Sequence, residues 1–398
     1  MRISTWTALG LFAAAALACA EARSADNPRH ADFGEMPRGH SGIASKYPGD
    51  AGIERDPDVL LVEDFEHGRA EAFRKKWKNI GGEKHMKFVD DAPGGSAGTK
   101  SVQMEAQLGR NSGGHLFTYV KDSDVLFARL YAKFERGSGP IHHFCEIRGE
   151  RDRTGWPAGA AGVVPRGDER FFTMFDFKKR DKVDFTKCEV MFYTYWQHMK
   201  GKWGTNYLPK ERFHPQYDKW HCFEWMLKAN SAPDADDGEQ AMWADGELLM
   251  RMTGFKWRST NKLKCNTFWL KYYVTDHSTT VKTNRMRFDH VVVARKYVGP
   301  IAKKTAARLE AVSSEAATAE EAAAAREASG KAIAEKEAAR LYQMARQAER
   351  MGQRVVAKQL YEQIVEKYPG TGVAAKARRE LSRWAPPASE REPEGGER

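Results

Sequence analysis

The chain has 398 residues, of which 41% are hydrophobic, 11% aromatic and 30% charged; this supports a sizeable core and excludes a solvating or wholly disordered chain. Lys and Arg outnumber Asp and Glu by 64 to 54, a net charge of +10, which favours an acidic partner: an anionic polysaccharide, a nucleic acid or an anionic surface. The long apolar run is N-terminal, which excludes a polytopic membrane protein.

Met1-Arg2 opens with positive charge, Ile3 to Ala18 is apolar, and Ala18, Ala20 and Ala22 permit cleavage after Ala20 or Ala22. Residues 1–22 read as a bacterial secretory signal, too short to span a bilayer comfortably and lacking a stop-transfer flank. The expectation is a secreted or periplasmic protein with no transmembrane segment. Cys19, in a weak lipobox-like context, ranks a lipid-anchored form below the released one. Residues 23–56 are polar and rich in Gly, Pro and His, as in a flexible lead-in.

Residues 57–300 fall into short apolar runs separated by turn residues: Val59–Glu66, Ser101–Leu108, His115–Val120, Val125–Phe134, Ile141–Arg148, Phe171–Phe177, Cys188–Trp196, Trp220–Asn230, Gln240–Leu249, Thr267–Val274 and Met286–Val298. Phe223, Trp225 and Leu227 alternate with Glu224 and Lys228, and Asp245-Gly246 is a two-residue hairpin signal. The pattern predicts a mainly β fold, an antiparallel sandwich or jelly roll. From 301 the composition changes. Residues 301–338 are Ala- and Glu-rich, a helical linker, and 386–398 read as a disordered tail. Residues 301–398 hold 18 Lys/Arg and 15 Asp/Glu, so +7 of the net charge lies in residues 1–300.

Cys145, Cys188, Cys222 and Cys265 could form up to two disulfides in an exported protein, or serve as small buried apolar residues. No cysteine–histidine zinc spacing occurs. Adjacent His142 and His143 would face opposite sides of a strand, whereas Tyr193 and Tyr195 share one. A histidine, two same-face phenols and nearby cations (Arg148, Lys200, Lys202) suit β-elimination on a uronate polymer. That reaction needs a base for the proton α to the carboxylate, an acid for the leaving oxygen, and a cation to neutralise the carboxylate. His142, His198 and Lys200 are candidate substrate contacts, and Trp156, in a Gly-rich stretch, could stack on a sugar. Glu66 and Asp289 could hold a structural Ca²⁺ where first and last strands meet; otherwise no cofactor is required. Asp234-Ala235-Asp236-Asp237-Gly238 reads as a hairpin loop, and Lys178-Lys179-Arg180 as a solvated face. No nucleic-acid-binding signature is present.

These residues resemble a known group. Val62-Glu63-Asp64-Phe65-Glu66, Phe127 to Phe134, Tyr193-Thr194-Tyr195, Trp220 to Trp225, Trp243 to Gly246 and Phe288 to Val293 resemble concanavalin A-like jelly-roll polysaccharide lyases, most nearly polysaccharide lyase family 14. The resemblance implies a tyrosine pair, carried onto Tyr193 and Tyr195. Where that family has a lysine this chain reads Gly139-Pro140-Ile141-His142-His143, so His143 or His142 takes its place. The family's Ser-x-Arg stretch reads Phe172-Thr173-Met174-Phe175, leaving Arg148 or Lys178 to compensate. Residues 339–385, with Leu341-Tyr342, Gly352, Ala357, Tyr361 and Tyr368-Pro369, resemble one tetratricopeptide helical hairpin, expected to dock on a protein partner or self-associate. Two function classes follow. In one, a carbohydrate-active protein binds an acidic polysaccharide and cleaves it by β-elimination, with His143 as base or neutraliser, Tyr193 and Tyr195 as acid and base, and Arg148 as carboxylate partner. The alternative is a non-catalytic glycan-binding or envelope scaffold protein.

Overall fold

Strand β12 (Trp220–Lys228) shows how the residue pattern builds the architecture: Phe223, Trp225 and Leu227 turn inward and are fully buried. A computed structural model describes residues 28–154, 161–303 and 330–384. The secretory signal, Trp156, linker residues 304–329 and the 386–398 tail lie outside the described residues. The chain divides into two compact units, 1–304 and 305–398.

In the first unit the other strands are β1 (Arg29–His30), β2 (Val59–Glu63), β3 (Asn79–Gly81), β4 (Met86–Val89), β5 (Ser101–Gln107), β6 (Gly113–Ser123), β7 (Val125–Phe134), β8 (Glu146–Glu150), β9 (Arg170–Lys178), β10 (Glu189–Tyr195), β11 (Thr205–Tyr207), β13 (Gly238–Ala244), β14 (Glu247–Phe255), β15 (Cys265–Tyr273) and β16 (Thr283–Ala294). Among the described residues they form two antiparallel sheets. Sheet A runs β1-β14-β13-β12-β7-β16-β5-β4, with β2 also on β16; sheet B runs β11-β10-β9-β8-β15-β6-β3. The expected antiparallel β-sandwich is therefore present. Phe175 and Phe177 of β9 meet Phe223 across the sheets at ring-centroid distances of 4.9 and 5.8 Å, each fully buried ring contributing about 1.5–3 kcal/mol. Asp245 and Gly246, at φ 52° and 87°, turn β13 into β14 as their sequence predicts. The acidic stretch 234–237 lies in the β12–β13 connection.

Residues 28–56 do not behave as a flexible lead-in. Ile43, Ala44 and Ile53 are buried against Val292, Ala294 and Val298 on the outer face of sheet A. Asp50 pairs with the fully buried Arg129 at 2.5 Å. Glu224, on the strand face opposite Phe223, Trp225 and Leu227, is also buried and accepts the Val298 and Gly299 amides at 2.7 and 2.8 Å. The outer face is thus sealed by both ends of the unit, which supply the donors and charges that buried polar groups need. All four described cysteines are free and buried; burial pushes the Cys188 and Cys265 thiols up to about 12. Among the described residues no disulfide forms, and these four cysteines pack as small apolar side chains.

The second unit has three described helices: α1 (described over 330–350), α2 (Arg354–Lys367) and α3 (Gly372–Ser382). Small residues Ala338, Ala345, Ala357, Ala374 and Ala377 let them approach around Tyr361 and Ile364. Gly352 supplies the positive φ of the first turn, and the Thr371 hydroxyl caps α3 by accepting the Ala374 amide at 3.1 Å. No described helix is long and apolar enough to cross a membrane.

Candidate functional site

The face of sheet B turned away from the core lines a cleft of about 900 Å³. Period-2 alternation determines which side chains reach it. Strand β9 sends Phe175 and Phe177 into the core and Phe172, Met174, Asp176 and Lys178 into the cleft. Strand register sets Tyr193, Met174, Glu146 and Trp269 in one row, and Tyr195, Phe172 and Arg148 in the next.

Tyr193 and Tyr195 stand together as expected, their hydroxyls 3.3 Å apart. Each also accepts a loop amide, Tyr193 from Gly204 at 3.1 Å and Tyr195 from Gly162 at 3.4 Å. Burial, reinforced by Tyr195, raises the Tyr193 phenol well above its ordinary range, so it holds its proton at neutral pH. The His143 ring stacks on Tyr193 at 5.2 Å and 20°, and on Tyr273 at 6.1 Å and 21°. Its Nδ1 lies 2.9 Å from Oδ2 of Asp176, which is 1% exposed. With Nδ1 protonated and bound to that carboxylate, Nε2 is left as the basic nitrogen.

His142 and His143 both line the cleft, against the expectation that only one would. The reason is local: β8 begins at Glu146, and before it His143 makes an isolated bridge to Tyr273 instead of belonging to a regular strand. His142 Nδ1 lies 2.9 Å from the Thr275 hydroxyl. Burial, then His143 and Lys179, push its pKa down to about 4, leaving it uncharged at neutral pH.

Arg148 reaches the cleft floor, but its charge is already engaged. It binds Glu146 at 2.9 Å and Glu150 at 2.6 Å, with its guanidinium 4.7 Å from the Phe172 ring centroid. Lys271 binds the other Glu146 oxygen at 2.8 Å. Burial alone would raise the Glu146 pKa; Lys271 and Arg148 outweigh it and hold that carboxylate below its usual range. His198 and Lys200 are exposed and do not line the cleft, whereas Trp203 and Asn206 just beyond them do. Lys178 and Lys179 also line it, so their run is not simply a solvated face; Arg180 instead pairs with Glu189 at 2.7 Å. The described lining carries four Lys or Arg against two carboxylates, Glu146 and Asp176.

Sequence reasoning missed Asp176, Lys271 and Trp203. The signal for Asp176 was a lone carboxylate inside the aromatic run Phe171 to Phe177, a position too costly for a charge without a partner.

On the opposite side of the sandwich, the Asp289 carboxyl is 1% exposed and its Oδ2 has no hydrogen-bond partner. Burial, with Glu66 and Asp64 adding repulsion, raises its pKa to about 9. Glu66 Oε1 is occupied by the Thr99 and Lys100 amides at 2.8 and 2.6 Å. Among the described residues no three His, Cys, Asp or Glu side chains are arranged to hold a metal ion, so Glu66 and Asp289 do not form a calcium set as they stand. Beside them His290 bridges Ser96 Oγ at 2.6 Å and Asp50 at 2.8 Å. The order is that of a serine hydrolase. Arg129 already clamps this aspartate at 2.5 Å, and the trio ties the 94–98 loop to the sheet.

No protein-family model matches the sequence, and no curated protein does. Among solved structures the chain is similar to an alginate lyase from Chlorella virus (TM-score 0.46, 12% identity, covering 60% of this chain and 100% of the other). It is similar also to a PL-14 alginate lyase from Aplysia kurodai (0.46, 12%, 60% and 99%) and to an endo-β-1,4-glucuronan lyase from the fungus Trichoderma reesei (0.37, 12%, 59% and 95%).

Proposed function

We propose that the first unit is an exported carbohydrate-active domain that binds a uronate-containing polysaccharide in the sheet B cleft and cleaves it by β-elimination. The observation that carries this reading is the Asp176–His143–Tyr193 arrangement: a buried carboxylate orienting an imidazole, stacked beside a phenol that keeps its proton. His143 Nε2 takes the proton α to the substrate carboxylate. The electron pair of that C–H bond forms the new C=C bond as the β C–O bond breaks, and Tyr193 gives its proton to the departing oxygen. Asp176 stabilises the imidazolium so formed, Tyr195 hydrogen-bonds to the Tyr193 oxygen, and once product leaves, solvent carries the proton from His143 back to Tyr193. The cleft lysines, Lys178 and Lys179 foremost, neutralise the substrate carboxylate in place of Arg148, whose guanidinium already holds two carboxylates.

Incubating the protein with alginate, polyglucuronate and other uronate polymers, and following ultraviolet absorbance of the unsaturated product, tests this. Product from at least one polymer is expected; none from any, with binding retained on a polyuronate affinity gel, would refute cleavage. The pairing of Arg148 and Lys271 with Glu146 and Glu150 favours, as the second reading, a cleft that binds the polymer without cutting it, and the same pair of measurements separates the two.

A further inference from the structure

The segment 199–204 ends packed against the phenol pair. Met199 anchors one end, 6% exposed, with its amide on the Trp196 carbonyl at 3.2 Å. Gly201 takes a positive φ of 82°. Gly204 closes the other end, where an added Cβ would stand 2.6 Å from the Tyr195 ring and 2.7 Å from the Tyr193 ring. Only a glycine lets the backbone press on both phenols and donate its amide to Tyr193. Trp203 is the next residue, its Cα about 3.8 Å from that of Gly204, so its indole is held within reach of any sugar seated at the phenols.

Trp203 is nevertheless 57% exposed. It lines the cleft, with its six-membered ring edge over Gly162, where an added Cβ would meet it at 3.5 Å. Lys202 holds its ammonium 5.5 Å from the indole centroid, and both side chains are exposed. A single exposed aromatic residue is ordinary; one fixed at a cleft rim by a glycine packed on two phenols, with a cation beside it, is a platform. The apolar C–H face of a pyranose covers an indole and removes its surface from water, while the ammonium held over the ring system pairs with a carboxylate carried on a sugar seated beside it.

We propose that Trp203 and Lys202 form a uronate subsite adjoining the phenol pair, the indole stacking on the sugar ring and the ammonium pairing with its carboxylate. The proposal rests on the reading of the cleft as a polyuronate site. It makes the segment 199–204 a determinant of which polymers the cleft accepts: a neutral glycan gains only the stacking, a uronate gains both contacts.

The test is affinity electrophoresis through gels containing polyuronate or a neutral glucan, on an Asp176→Asn background so that the polymer survives. Trp203→Ala should weaken retardation by polyuronate about tenfold. Trp203→Phe should recover part of it, and Lys202→Ala should weaken binding less and lose its effect at high salt. In the wild-type background Trp203→Ala should raise KM with kcat within about twofold. Unchanged retardation of Trp203→Ala, with the parent protein retarded, overturns the subsite and leaves the cleft reading intact. A parent protein that neither binds nor cuts any polyuronate overturns both.

Discussion

Asp176 Oδ2 lies 2.9 Å from His143 Nδ1, while the other oxygen of the same carboxylate accepts the Phe177 amide at 2.9 Å. The carboxylate is thus tied to its own backbone and can only orient the imidazole. Asp176→Asn keeps the shape but lets the ring adopt the other tautomer. It should lower turnover of a cleaved polyuronate about 10²- to 10⁴-fold with little change in KM; loss of KM alone would place His143 outside the proton transfer.

Gly204→Ala tests the phenol pair without altering either phenol. The new methyl group meets both rings at under 3 Å, so the loop amide must retreat from Tyr193. Reduced turnover with a melting temperature close to wild type is expected. Tyr193→Phe should cost more, about 10²- to 10⁴-fold, because it removes the acid itself.

Arg148 is a structural cation in this arrangement, and its replacement should be read by denaturation before activity. Arg148→Met leaves Glu146 and Glu150 buried with one fewer partner. The expected loss is about 3–5 kcal/mol in urea unfolding, with partial recovery when Glu150→Gln is added. An Arg148→Met protein of wild-type stability but no turnover would return the arginine to the chemistry.

Stability should fall as pH rises above about 5. Burial holds the Glu224 pKa at about 7 in the folded protein, despite the Val298 and Gly299 amides, against about 4.3 unfolded. The folded state therefore keeps a proton that the unfolded chain has released. That contribution is full below pH 4.3 and lost as pH climbs through 7; Asp289, raised to about 9, extends the decline to higher pH. Thermal melts from pH 5 to 9 should show Glu224→Gln flattening this slope below about pH 7 and Asp289→Asn flattening it across the whole range.

Much of the β architecture was readable from sequence because long strands repeat their alternation often enough to register, as in Phe223, Trp225 and Leu227. Strands β1, β3, β4 and β11, of two to four residues, carry too few positions for a period to show. The lead-in was misjudged for a related reason: its two isoleucines, Ile43 and Ile53, are diluted among Gly, Pro and His, although both are at most 4% exposed. Within the cleft the tyrosine pair and His143 were accessible from spacing and residue type. Arg148 was not, since its meaning depends on Glu146 and Glu150 flanking it on its own strand. Trp203 was hidden in a basic loop that sequence alone gave no reason to pack against the phenols.

The last strand in the chain sequence of sheet A is also one of its innermost. β16 hydrogen-bonds to β7, β5 and β2, and Arg129 on β7 waits for Asp50, 79 residues earlier, and the His290 carbonyl, 161 residues later. Until residues near 290 arrive, β7 lacks one of its two neighbours and its arginine one of its two acceptors, so no early portion of the chain can close the sheet alone. Such long-range closure makes folding slow and cooperative. A nascent chain of this design stays open until nearly 300 residues have been made.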